Sequence, residues 1–493
     1  MSQGTEKPGN AKAPQKPGIP TGNTLASPKK PPTSTAVRAT SANQRITPEK
    51  PPHSHKIEII LGLVLGILIL GIIIVLVVTS SSAPGKTQAN ATAALAPNPL
   101  TPRNAATVQA LVTSLSGASL ATAIPFAPTP TGAPVSSTTD TKGLNWPVNG
   151  GNPARTRLSS ATLKFPMKKL WENQVGGELQ SSPAIANGLA YFGSSNGALY
   201  AVDVQTTKIK WQRQYAPIAT SPAVAGGQVF FGTTAGHVYA LDALTGQEHW
   251  DFPTIEQVLS SPVVANGVVY IGSNLGVFWA IDAYTGQKRW SAQIGNANSA
   301  GINTSPAVAD NTVFFGANNG VFYAFATENV TTTTKPKWTV QLPEGKGILS
   351  SPAVADGTVY FASEGGKLYA YNTADGVKKW EADLGGPSRS SAAVANGVVY
   401  IGSSNKKVYA FNARDGSKKW EFATEDAVFS SPVVTNDTLL IGSNDTHLYA
   451  LDLATGAKKW DFATDDIIGS SPAIADNKVY LTSYDGRLYA FGN

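Results

Sequence analysis

From Trp171 to Asn493 the apolar positions alternate with polar ones instead of recurring at helical spacing. The phrase SSPVVANGVVYIGS at 260–273 returns as SSPAVADGTVYFAS from 350 and SSAAVANGVVYIGS from 390. Within a unit, SPVV, GVVYIGS, VFWAIDA and QKRW each read as a short strand, because β-branched and aromatic residues alternate between turn residues. The Asn-Gly and Asp-Gly steps suit hairpins that demand positive φ, and the Asp-Ala-x-Thr-Gly turns at Asp242 and Asp282 mark the next corner. Four antiparallel strands in about 40 residues make one propeller blade.

Three landmarks count the blades. A Ser-Pro step falls at Pro183, Pro222, Pro262, Pro306, Pro352, Pro432 and Pro472, with Ala392 in the equivalent place. A Tyr-Ala step recurs in the same rhythm, with Trp279 standing in once, and a tryptophan closes each set at Trp171, Trp211, Trp250, Trp290, Trp338, Trp380, Trp420 and Trp460. The last unit reaches Asn493 after three strands, and KKLWEN around Trp171 has the form of KKWEF and KKWDF later in the chain. The expected fold is therefore all-β, an eight-bladed propeller over 146–493, closed by the strand bearing Trp171. A solenoid would need capping repeats that the pattern lacks. Each tryptophan reads as core: burying an indole removes about 150–250 Å² from water, an upper bound of about 4–6 kcal/mol.

The N-terminal third follows other rules. Residues 1–56 are rich in Pro, Lys, Ser and Thr without apolar periodicity, and are expected to be a disordered cytoplasmic tail. Ile59 to Val78 is an unbroken apolar run, so a transmembrane helix is expected over 57–79; such a run spans about 30 Å. The leader before it is too long for a cleaved signal peptide, and the lysines cluster on its N-terminal side, which predicts an anchor with the propeller outside the cytoplasm. Gly62 and Gly66 form a lone GxxxG, weak evidence for helix pairing. Residues 80–145, rich in Ala, Pro and Thr, read as a flexible linker with a reach of about 45 Å.

Composition narrows function. The chain has no cysteine, which excludes disulfides, thiolate metal sites and cysteine nucleophiles. Its net charge of +6 is misleading, because Lys and Arg outnumber acids nine to two in residues 1–56 but trail them 26 to 28 in residues 146–493. A near-neutral folded part gives no support for nucleic-acid binding. His237, His249 and His447 sit in separate units, and no nucleophile elbow, phosphate-binding loop or zincin motif is present.

The repeated frame W...SSPxVxxGxVYxGSxxGxLYALDAxTGxxxW resembles the PQQ-like (quinoprotein alcohol dehydrogenase-like) β-propeller repeat, and the lead NWPVNGGNPARTRLSS from Asn145 is similar to the entry segment of that superfamily. The resemblance implies the fold. It leaves function open, because the superfamily contains quinone-dependent dehydrogenases, the propeller lipoprotein of outer-membrane assembly and sensor domains. The dehydrogenases hold their quinone with a vicinal disulfide, a stacking tryptophan, calcium ligands and an aspartate base. Without cysteine or long inserted loops, this chain is expected to carry neither PQQ nor calcium and to have no catalytic residue.

Three residues before the Ser-Pro proline the units diverge: Gln180, Ala219, Leu259, Asn303, Leu349, Arg389, Phe429 and Gly469. If this strand lines the channel, as the resemblance implies, Gln180, Asn303 and Arg389 are the candidate ligand- or partner-binding groups at its mouth. Two longer loops, GNANSAGINTS and FATENVTTTTKPKW, border one sector and are expected to contact a partner. The expectation is a membrane-anchored, non-enzymatic docking or scaffold propeller. A membrane-bound quinoprotein oxidoreductase and an extracytoplasmic ligand sensor are the rivals.

Overall fold

The computed structural model describes residues 145–295, 300–328, 330 and 335–493. The expected cytoplasmic tail, transmembrane helix and linker, up to residue 144, lie outside the described residues, as do parts of both long loops. No helix among the described residues is long and apolar enough to cross a membrane.

Eight four-stranded antiparallel sheets form the propeller, each an up-and-down meander. In the first blade the inner strand Ala184–Ala186 is followed by Leu189–Gly193, Ala198–Asp203 and the outer strand Ile209–Gln214. The turn between the first two strands needs a left-handed backbone at both central residues, and Asn187 (φ 53°) and Gly188 (φ 74°) supply it. The same pair recurs at Asn266–Gly267 and Asn396–Gly397, which explains the repeated Asn-Gly. At the next corner Asp242 Oδ1 accepts from the N–H of Leu244 (3.0 Å) and of Thr245 (2.8 Å) and from the Thr245 hydroxyl (2.8 Å). The aspartates are turn locks.

Closure occurs in the eighth blade. Lys168–Gln174 pairs with the chain's last strand, Arg487–Gly492, placing Trp171 opposite Ala490 and Gln174 opposite Arg487. The ring then has no free edge between first and last blades.

The two serines of each Ser-Ser-Pro phrase have separate work. The first, Ser or Thr, ties the phrase to its own blade in every unit but the fifth, where Ser350 Oγ has no partner among the described residues: Thr220 Oγ1 accepts from Gly232 N–H at 3.0 Å and Ser430 Oγ from Gly442 N–H at 3.1 Å. The second links blades. Ser182 N–H donates to Ser221 Oγ, Ser221 to Ser261, and so on through Ser305, Ser351, Ser391, Ser431 and Ser471, whose N–H returns to Ser182 Oγ, all at 2.8–3.1 Å. Eight blades thus share one closed circle of buried hydrogen bonds. Leaving one such N–H without an acceptor costs about 1–3 kcal/mol.

Apolar packing follows the same eightfold rule. Trp211, Trp250, Trp290, Trp380 and Trp420 are buried, while Trp171, Trp338 and Trp460 are half-buried. The indole N–H of Trp211 donates to Ala243 O of the next blade at 3.0 Å, and Trp420 repeats this to Leu453 O at 3.1 Å. Trp250, Trp338 and Trp380 do the same, so five of the eight repeat tryptophans bridge two blades through the indole N–H, whereas that of Trp290 is buried without an acceptor among the described residues.

Candidate functional site

The inner strands run from a face that carries the blade-to-blade connections toward a face that carries the Asn-Gly turns. Gln180, Asn303 and Arg389 all lie at the connection face, one position before the Ser or Thr that locks each blade. They share this level but make no hydrogen bond or ion pair with one another. Gln180 and Arg389 are exposed and Asn303 is half-buried.

Arg389 is the most engaged. Its guanidinium lies 5.6 Å from the centroid of Phe429, in the next blade, and 3.9 Å from a Glu364 carboxylate oxygen. Its side chain keeps 59% of its exposure, so the ion pair contributes little stability and the cation stays available. Gln180 Nε2 donates to Glu178 Oε2 at 3.3 Å.

A second set of residues joins this ring that the repeat comparison missed. The turn between the second and third strands folds back onto the connection face, because its second residue donates N–H to a connection carbonyl: Ser195 to Glu178 O, Glu364 to Gly347 O and Tyr484 to Ile467 O. These positions also vary between blades. Tyr484 matters most, since a Cβ on Gly469 would stand 3.1 Å from Tyr484 Cε1. The aromatic ring thus lies where the eighth blade's own ring position has no side chain. Burial raises the Tyr484 hydroxyl pKa, Glu178 and Asp466 add to the rise, and Arg389 opposes it. Around the mouth, Arg389, Phe429, Tyr484 and Gln180 occupy one arc from the sixth blade to the first, and Ala219, Leu259 and Leu349 most of the other. Asn303 Oδ1 and Asn318 Oδ1, both in the fourth blade, are buried acceptors that receive no hydrogen bond. The internal signal for Tyr484 and Glu364 was their divergence at the Gly-Ser-x-x-Gly turn.

The far end of the channel is taken by the lead segment. Trp146 exchanges backbone hydrogen bonds with Ile185 in the first blade, Pro147 O accepts from Val224 N–H in the second, and Pro153, Ala154, Thr156 and Arg157 carbonyls accept from Val308, Val354, Val394 and Val434. The segment therefore passes along the inner strands of successive blades. At the level of the serine circle Asn149 Nδ2 reaches Ser221 Oγ at 3.4 Å, and Arg155 and Arg157 are fully buried.

A calcium-bound quinone would need converging carboxylates on this axis. Among the described residues no three His, Cys, Asp or Glu side chains are grouped to hold a metal ion, and the buried charges at that level, Arg155 and Arg157, are cationic and would repel one. The residues present do not fit that group. His237 instead pairs with Asp251 at 2.7 Å on the outer part of its blade, and His447 contacts Asp445 O at 2.9 Å.

The family described as outer membrane protein assembly factor BamB matches the chain twice, over residues 164–331 and 329–493. No curated protein matches it in sequence. Among solved structures it is similar to BamB from Moraxella catarrhalis (TM-score 0.57, 21% identity, 66% of this chain and 100% of that one). It is also similar to a europium-containing methanol dehydrogenase (TM-score 0.64, 15% identity, 72% of this chain and 99% of that one). The quinohemoprotein alcohol dehydrogenase of Comamonas testosteroni gives TM-score 0.62 at 16% identity, over 73% of this chain and 81% of that one. Identities this low establish a shared propeller fold and nothing about chemistry.

Proposed function

This chain belongs to the outer membrane protein assembly factor BamB family, and from that membership we propose that it is a non-enzymatic protein-binding propeller whose docking surface is the connection face around the channel mouth. The observation that carries this reading is the arc of Arg389, Phe429 and Tyr484: arginine and large aromatics, partly exposed on a rigid frame, are the side chains that dominate protein-binding hot spots. The hydrogen-bonded blade frame holds these groups in place, so little side-chain freedom is lost on docking. In this reading Ile59 to Val78 anchors the chain in a membrane, residues 1–56 remain cytoplasmic, and residues 80–145 tether the propeller outside the cytoplasm. Gln180 and Asn303 contribute polar contacts at the rim of the same surface.

A quinone-dependent oxidoreductase is the second reading, favoured by the dehydrogenases among the similar structures. The two separate experimentally. Purified full chain supplied with PQQ and calcium is assayed for dye-linked oxidation of alcohols and aldoses, and full chain and its Arg389→Glu variant are compared as bait. The proposal expects no turnover and a protein retained by the parent but lost by the variant. Cofactor-dependent turnover, or equal retention by both baits, overturns it.

A further inference from the structure

Two arginines lie where a folded protein rarely leaves a charge without a carboxylate. Arg155 is 0% and Arg157 1% exposed, on the lead segment at the level of the serine circle. Among the described residues neither pairs with an Asp or Glu. Burial lowers both pKa values to about 9, with the Arg157 charge adding to the effect on Arg155. Both remain cationic at neutral pH. Uncompensated buried charge is costly, and two adjacent like charges more so.

Their environments differ. Arg155 is satisfied by carbonyls: Nε donates to Pro306 O at 2.7 Å, Nη1 to Asn149 O and Nη2 to Ser261 O at 3.3 Å. Arg157 has one partner, Asn149 Oδ1, which accepts from Nη1 at 3.0 Å. Its Nε is buried and donates to nothing, and no hydrogen bond involves Nη2. The Nε–Nη2 edge of a guanidinium is the fork that takes two oxygens of a carboxylate or phosphate in parallel.

The local backbone is shaped for this placement. Arg155 (φ 55°) and Arg157 (φ 58°) both adopt the left-handed conformation, which non-glycine residues seldom enter. Gly150 makes room, since a Cβ there would stand 2.9 Å from Arg155 Cβ. Flanking carbonyls of the same stretch, those of Ala154, Thr156 and Arg157, accept from the inner strands of three successive blades. The strained turns thus fix the two arginines in the channel.

We infer that the propeller channel holds a small oxyanion, of the phosphate, sulfate or carboxylate class, bound by the free Nε–Nη2 edge of Arg157 with Arg155 beside it. The anion offsets two positive charges that the chain itself leaves uncompensated. It enters from the connection face, because the lead segment lies along the opposite end. The site is separate from Arg389 and its neighbours, and stands whether or not a protein docks at the mouth.

The test uses purified full chain dialysed into chloride, with inorganic phosphate, sulfate or acetate titrated in at constant ionic strength. The expected result is a saturable rise in Tm of about 3 °C or more with at least one of these anions, lost in Arg157→Gln and kept in Arg414→Gln, whose arginine lies on the exposed rim. The anion that gives the largest rise distinguishes the inorganic from the carboxylate source. No rise beyond chloride, or the same rise in Arg157→Gln, overturns the inference. Should Arg157→Gln fail to fold, equilibrium dialysis of the parent chain with each radiolabelled anion decides: about one bound per chain for at least one of them supports the site, and none for all three overturns it.

Discussion

Replacing Gly442 by alanine tests how tightly the blades interlock. A Cβ at Gly442 would stand 2.2 Å from Cγ2 and 2.9 Å from Cβ of Ile468, which precedes the next blade and is fully buried. Carbon atoms rest about 3.5–4.0 Å apart, so the two chains must separate by about 1.5 Å or Ile468 must leave its rotamer. Gly442 is not in the left-handed region, so the cost is purely steric. Overpacking of this kind destabilises by about 1–3 kcal/mol, and Ile468→Ala alone by about 2–5 kcal/mol through the cavity it leaves. Together the two changes should compensate, because the new methyl enters the space the isoleucine vacates. The chain already contains such a pair: in the fifth blade Ala362 replaces the glycine, and Ser388 stands in the isoleucine position, its N–H donating to Ser363 O at 3.3 Å as Ile468 N–H does to Ser443 O at 3.2 Å. Urea unfolding followed by tryptophan fluorescence on parent, both single variants and the double variant gives the cycle. A favourable coupling of about 1–3 kcal/mol is expected. Costs that simply add, or a Gly442→Ala change within about 0.5 kcal/mol of neutral, would refute the interlock.

Two further outcomes follow from closure and burial. Because the chain lacks cysteine, Gln174→Cys with Arg487→Cys introduces a single possible disulfide between paired neighbours; oxidation should give a monomeric, faster-migrating species on non-reducing gels, and intermolecular dimers alone would contradict the pairing. At alkaline pH, burial raises Tyr270 and Tyr480 to about 12 and lifts Tyr191 and Tyr400 further. A raised phenol pKa contributes stability below about pH 10, its unfolded value, and loses it as pH climbs toward the folded one. The depressed Arg155 and Arg157 act oppositely above about pH 9, since the unfolded chain then binds more protons, but the tyrosines outnumber them. Stability should fall past pH 10, with phenolate absorbance at 295 nm rising together with loss of the β signal; a smooth, non-cooperative phenolate titration in a still-folded protein would contradict the burial.

The blade count and its closure were legible because every unit repeats the same solution. Asn-Gly pairs mark the paired left-handed turns, the tryptophans mark the blade-to-blade bridges, and the KKLWEN segment carries an outer-strand signature at the wrong end of the chain. The division of labour between the two serines was not legible, since hydroxyls one residue apart serve different neighbours only once the blades are arranged in a circle. Gln180, Asn303 and Arg389 stand out in the sequence as divergent positions of one repeat, yet the arc around Arg389 is completed by Tyr484, whose ring lies beside Gly469 from a turn elsewhere in the blade. Arg155 and Arg157 escaped notice for the opposite reason. They occur once, in a lead with no internal counterpart, and nothing in linear sequence shows that the segment enters the channel.

The central claim is that the connection face is where this propeller meets its partner. A photo-reactive amino acid placed at Arg389 in the full chain, and separately at Asn187 on the opposite face, is activated in intact cells. The account predicts a discrete protein adduct from position 389 that is absent from position 187. Identical adduct patterns from both positions, or none from position 389, would contradict it.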